Sequence, residues 1–186
     1  MLCQWQRNFG DFVSNNTASF SAVAPFPGGG WTVIGSFQGN ILLAGSGASL
    51  TSRGGYDVVT GRFSETGAHQ WSFRYGDTGF DVGYGIATTP EGNVILAGAF
   101  GPAITFGTTT LTGAMNTFVT RMSPGAAPIH EWAVGLGGDG YDLAEDVAVA
   151  PNGAVYVLSL FTGMTDLAGS ALTSQGYDSW IAALVQ

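Results

Sequence analysis

The chain has 186 residues, of which 45% are hydrophobic, 12% aromatic and only 10% charged, with 30 glycines and a single cysteine. That length favours one domain with a sizeable core, and high hydrophobicity with low charge excludes a disordered chain and a coiled coil. A net charge of −8, from 13 acids against five arginines and no lysine, argues against nucleic acid and anionic membrane surfaces as partners. No apolar run approaches the roughly 20 residues that span a bilayer, so membrane insertion is not expected.

Taken in chain order, Met1-Leu2-Cys3-Gln4 lacks the apolar stretch of a signal peptide. Cys3, being alone, can form neither a disulfide within the chain nor a paired-cysteine metal site, and it reads as a tail thiol. Trp5 then opens a phrase, Trp5-Gln6-Arg7-Asn8-Phe9-Gly10-Asp11, which returns from Trp71 to Asp77 and from Trp132 to Asp139, at spacings of 66 and 61 residues. Repetition at a fixed period is the first thing to establish, because it decides the architecture. Trp71, Phe73 and Tyr75 alternate with Ser72 and Arg74, which is the period of a half-buried strand.

A second phrase follows each time. Ile86 to Gly98 matches Val147 to Ser159, each with Pro-x-Gly at its centre (Pro90-Glu91-Gly92 and Pro151-Asn152-Gly153). Proline presets the first turn position and glycine takes the left-handed one, so each phrase is a β-hairpin. Residues Ser21 to Phe37 carry the same hairpin with what reads as a longer tip, Pro25-Phe26-Pro27-Gly28-Gly29-Gly30, and all three returning strands finish in a phenylalanine: Phe37, Phe100 and Phe161. Next comes a Gly/Ser/Thr-rich excursion with one apolar anchor (Leu50, Leu111, Leu172), read as a loop. A further strand begins after it at Tyr56, Met115 and Tyr177.

Four strands per repeat predict an all-β chain of three four-stranded antiparallel β-propeller blades, half a ring, in one domain over residues 1–186 with repeats at about 5–70, 71–131 and 132–186. A sandwich and a parallel β-helix are the weaker alternatives, since the first has no reason to repeat and the second wants shorter coils. The phrases Gly85 to Gly98, Leu172 to Asp178 and Trp71 to Asp77 resemble the bacterial β-propeller repeat family called SBBP. That resemblance covers nearly the whole chain and implies the fold and an exported or cell-surface setting, without a reaction. The first copy departs most, with Asn15-Asn16-Thr17 where the second has Gly79-Phe80-Asp81.

Chemistry-bearing residues are few. His69 and His130 each stand two residues before a repeat's tryptophan, a placement that argues for structure rather than catalysis. Nothing positive supports a Ser-His-Asp triad or a carboxylate pair. The acids Asp77 and Asp81 in one turn, and Asp139, Asp142, Glu145 and Asp146 in the next, are the weak candidates for a calcium site. Their spacing fits no EF-hand, and aspartates bond backbone amides in tight turns, so neither metal nor cofactor is expected. Asp57, Asn116 and Asp178, aligned at the start of the third strand, read the same way. Gly135-Leu136-Gly137-Gly138 precedes acids and makes no phosphate loop.

The reading is therefore a non-catalytic module that binds a protein or glycan through rim loops. The alternative is a hydrolase or lyase with its site in the central channel, for which Ser21-Ala22-Val23, Gly85-Ile86-Ala87 and Asp146-Val147-Ala148 are small and bland. Because the Trp phrase supplies an outermost strand, Trp5 to Phe9 is a fourth strand without a blade, and the last blade lacks one. Self-association into a six-bladed ring follows, or else the sequence is a fragment of a longer propeller. Residues 5–70 carry no net charge and residues 132–186 carry −6, which favours joining unlike ends.

Overall fold

A computed structural model describes Gln6, Phe9 and residues 16–43, 47–167 and 169–185. Fifteen strands run along the described residues, with no helix: β1 (Thr17–Pro25), β2 (Trp31–Gln38), β3 (Asn40–Leu42), β4 (Ser49–Thr51), β5 (Asp57–Phe63), β6 (His69–Tyr75), β7 (Val82–Thr88), β8 (Val94–Phe100), β9 (Ala103–Phe106), β10 (Thr109–Thr112), β11 (Asn116–Met122), β12 (His130–Gly138), β13 (Asp142–Val149), β14 (Val155–Leu167) and β15 (Ser170–Leu184). No helix is long and apolar enough to cross a membrane.

The first sheet is antiparallel in the order β1-β2-β5-β6, and β7-β8-β11-β12 repeats that order. In the third unit β13, the first half of β14 and the second half of β15 take the places of the first three strands. Hydrogen bonding also passes from β12 to β14 at Gly137–Asp166 and Gly138–Thr165, so the second and third units form one continuous sheet. The first strands of the units, β1, β7 and β13, lie side by side.

Each hairpin that opens a unit turns in the same way. The amide of Gly92 donates to Thr89 O and that of Gly153 to Ala150 O, both at 2.9 Å, and the amide of Gly29 donates to Phe26 O at 3.0 Å. All three glycines have positive φ, which an L side chain resists. The tip at Pro25–Gly30, expected to be longer, is thus the same length as the others. Its glycine run alters composition and leaves the count unchanged.

Two features go beyond the sequence reading. Every first strand carries a β-bulge at the equivalent place, between Phe20 and Ala22, Gly83 and Gly85, and Ala144 and Asp146. A bulge bends the strand and increases its twist, which suits strands that converge on a common line. The excursion expected as loop is itself a small hairpin, β3–β4 and β9–β10, continued in the third unit by the far half of β14 with the start of β15. Ile41, Ile104 and Phe106 fix these hairpins to the core by complete burial.

Two of the three apolar clusters lie between units, and the third, formed by Phe37, Ile41, Leu43 and Val59, lies within the first. Ile34, Val58, Trp71 and Tyr75 of the first unit pack on Leu96, Phe100, Phe118 and Met122 of the second. Ile95, Ala97 and Val119 on the second unit's other face pack on Val147, Val155 and Val157 of the third. Trp71 is buried in the first junction and Trp132 is half-buried against the second, so both tryptophans sit on equivalent fourth strands as expected. Trp5 and Cys3 lie outside the described residues.

Candidate functional site

Where β6 ends and β7 begins, the chain crosses from the first sheet to the second, and the corner is built from charged residues. Asp57, at the start of β5, is fully buried. Its Oδ2 accepts Nη1 of Arg74 at 2.5 Å and the amide of Arg53 at 3.1 Å. The same Arg74 nitrogen donates to Gly76 O at 2.8 Å. Asp81 Oδ2 accepts the amide of Asp77 at 3.2 Å. Gly76 lies between the carboxylates with φ +137°, and a Cβ there would stand 2.8 Å from Asp81 Oδ2 and 2.9 Å from Asp57 Cγ. Only glycine fits. Burial pushes the Asp81 carboxyl up to about 7, and the nearby Asp57 charge adds to the shift.

The corner from β12 to β13 repeats this frame without the ion pair. Asn116 stands where Asp57 stood, each opposite the terminal phenylalanine of its neighbouring strand. Asp142 replaces Asp81 and accepts the amide of Gly138 at 3.0 Å. Burial also raises the Asp142 carboxyl. Gly135 occupies the place of Arg74, as the parallel phrases from Trp71 and Trp132 show. The buried ion pair therefore belongs to one corner alone.

Each acid singled out in sequence has a definite place. Asp139 Oδ1 accepts the amide of Met164, and Asp146 Oδ1 that of Val147, both at 2.8 Å. Asp81 and Asp142 bond backbone amides too, which is the turn role that aspartate serves. Asp77 and Asp81 belong to the first corner, Asp139 and Asp142 to the second, and Asp146 to β13 beyond its bulge. Among the described residues no three His, Cys, Asp or Glu side chains gather as metal ligands do. Asp178 is exposed on β15. His130 bonds Thr120 Oγ1 through Nδ1 and the Tyr75 hydroxyl through Nε2, each at 2.8 Å, and burial lowers its pKa to about 4. His69 Nε2 meets Ser72 Oγ at 3.1 Å. His130 thus joins β12 to β11 and β6, whereas the His69 bond stays within β6.

A polar cleft of about 310 Å³ opens over the charged corner, lined by Arg53, Arg74, Asp77, Thr105 and Thr110. The threonines come from the β9–β10 hairpin, and their hydroxyls meet at 3.0 Å. Among the described residues no carboxylate pairs with the exposed guanidinium of Arg53. Tyr75, Gly76 and Ala103 complete the lining. The arrangement offers a cation, two hydroxyls and the Asp77 carboxylate to one ligand. Sequence reasoning missed it because Arg74 lies in a different phrase from Arg53 and Asp57. The available signal was that Arg74 departs from its own repeat.

A second cleft, about 420 Å³, lies at the opposite ends of the strands, where the three hairpin tips meet around Pro25, Pro27, Pro90 and Pro151. It is mostly apolar and follows the repeat. No known protein-family model matches the chain, and no curated protein matches it in sequence.

Proposed function

We propose that the three units are consecutive β-propeller blades and that the chain is a non-catalytic binding module, which takes a carboxylated glycan in the Arg53–Arg74 cleft. The blade reading is supported by the repeated strand order, the side-by-side first strands and the apolar junctions between units. By resemblance to SBBP repeats, the setting is an exported or cell-surface bacterial protein. The binding reading rests on one observation: the cleft sits where the chain breaks its own repeat.

The ligand class follows from the lining. The Arg53 guanidinium selects a carboxylate by charge-assisted, bidentate hydrogen bonds, while the threonine hydroxyls and the Asp77 carboxylate suit the hydroxyls of a sugar. Arg74 is committed to Asp57, so Arg53 is the residue that reaches the ligand. Calorimetry with an oligouronate and with a neutral oligosaccharide of equal length tests this. The oligouronate is expected to bind and the neutral sugar to bind weakly, with Arg53→Ala lowering uronate affinity roughly 10- to 100-fold. Equal affinity for both sugars, or no loss in Arg53→Ala, would refute the assignment.

A further inference from the structure

The two internal junctions differ at one place where the repeat makes them equivalent. In the first, the ring of Phe26, from the β1–β2 tip, is buried beneath Arg62, whose Cζ lies 3.5 Å from the ring centroid. A Cβ on Gly92, in the next unit's tip, would stand 3.1 Å from Phe26 Cζ. Trp71, Val94 and Met122 belong to the same apolar cluster as Phe26. A guanidinium, an indole, a glycine turn and two apolar side chains thus frame this ring.

The same five positions recur in the second junction as Arg121, Trp132, Gly153, Val155 and Leu184. Arg62 and Arg121 pair across the strands with Trp71 and Trp132, and Val94 and Val155 pair with Met122 and Leu184. Here the five line an open, mostly apolar pocket of about 270 Å³, completed by Val134 and Val185. Two departures from the first unit open it. By the hydrogen bonds of the tips, Thr89 stands where Phe26 does, and its short side chain turns to Asn93, accepting the amide at 3.2 Å and Nδ2 at 3.1 Å. Val134 stands where Phe73 packs on Trp71 with ring centroids 5.4 Å apart. Trp132 is accordingly half-buried where Trp71 is buried.

We infer that this pocket binds one uncharged aromatic ring of a small molecule, under Arg121 and beside Trp132, as Phe26 lies under Arg62 in the first junction. A guanidinium over a ring face is attracted by the ring's quadrupole. Arg121 Nε lies 2.8 Å from Glu131 Oε2, so its charge is already paired and a neutral ring is the match. The Thr89 backbone holds the place from which Phe26 delivers its ring, which leaves room for a ring and not for a second peptide backbone. Apolar cavities of roughly 150 Å³ already take benzene, so this one accommodates a ring with a short substituent.

NMR titration with benzyl alcohol and with cyclohexylmethanol tests the inference, read at the Trp132 indole N–H and the Gly153 and Val155 amides. Benzyl alcohol is expected to give saturable shifts, and the saturated ring to bind about 2- to 5-fold more weakly because it has no π face for the cation. Val134→Phe restores the first junction's wall and should abolish the saturable shifts. Arg121→Gln should keep binding and level the two alcohols, and it decides the matter alone if circular dichroism shows Val134→Phe unfolded. Absence of saturable shifts in the parent overturns the inference, as do equal affinities for the two alcohols or unchanged binding in a folded Val134→Phe. N-acetylphenylalaninamide binding roughly tenfold more tightly than benzyl alcohol would assign the pocket to a partner's phenylalanine and overturn the small-molecule reading. Both variants lie outside the Arg53 cleft and should leave oligouronate binding unchanged, so the two sites are tested separately.

Discussion

Asp81→Asn is expected to stabilise the protein most at about pH 8, with a gain that shrinks as pH falls and vanishes near pH 4. In the folded chain burial holds the carboxyl of Asp81 near 7, against 3.8 when unfolded, so between these values the folded state binds the extra proton. Stability from this group is therefore greatest below about pH 4 and falls as pH rises through 7. A shift of that size corresponds to on the order of 4 kcal/mol when ionisation is complete. His130 acts in the opposite sense: its folded pKa near 4 lies below 6.5, so stability is present above 6.5 and is lost as pH falls toward 4.

The two slopes oppose each other between about pH 4 and 6.5, so the parent changes little there, and the decline due to Asp81 ends near pH 7. Asparagine keeps an acceptor for the Asp77 amide and removes the charge. Urea unfolding across this range should show the variant gaining on the parent from about pH 4 to 7, with a constant difference above that. Parallel curves would mean that Asp81 is ionised at little cost.

Trp71→Ala is expected to lower stability by roughly 3–5 kcal/mol, the usual cost of emptying a buried large aromatic site. Trp71 is 6% exposed in the first junction, where its ring lies 5.4 Å from that of Phe73. Trp132→Ala should cost less, because its equivalent ring is only half-buried against the second junction. Chemical denaturation of both variants checks the order. A larger loss at Trp132 would show that the repeat places the two rings in different energetic settings.

Most of the strand framework was legible because its signals are local. Alternation from Trp71 to Tyr75 and Pro-x-Gly between two apolar runs are read within a few residues, and the structure places strands and turns there. The β9–β10 hairpin was not legible, because its Thr-rich composition looks like loop. Ile104 and Phe106, which bury it, are the residues that could have shown otherwise. Nor were the bulges, since their extra residues, Ser21, Tyr84 and Glu145, have nothing in common. The Arg74–Asp57 pair joins residues in different phrases, and only the fold reveals that they meet. The aspartates were read by type as turn residues. That holds for Asp81 and Asp142, but it missed that Asp57 holds an arginine beside an open cleft.

Amide chemical-shift mapping during an oligouronate titration tests most directly whether the cleft that breaks the repeat binds a ligand. Saturable shifts are expected at Arg53, Gly76, Asp77, Thr105 and Thr110, with the hairpin tips at Gly29, Gly92 and Gly153 unmoved. Shifts centred on those tips, with the Arg53 corner silent, would contradict binding at the cleft.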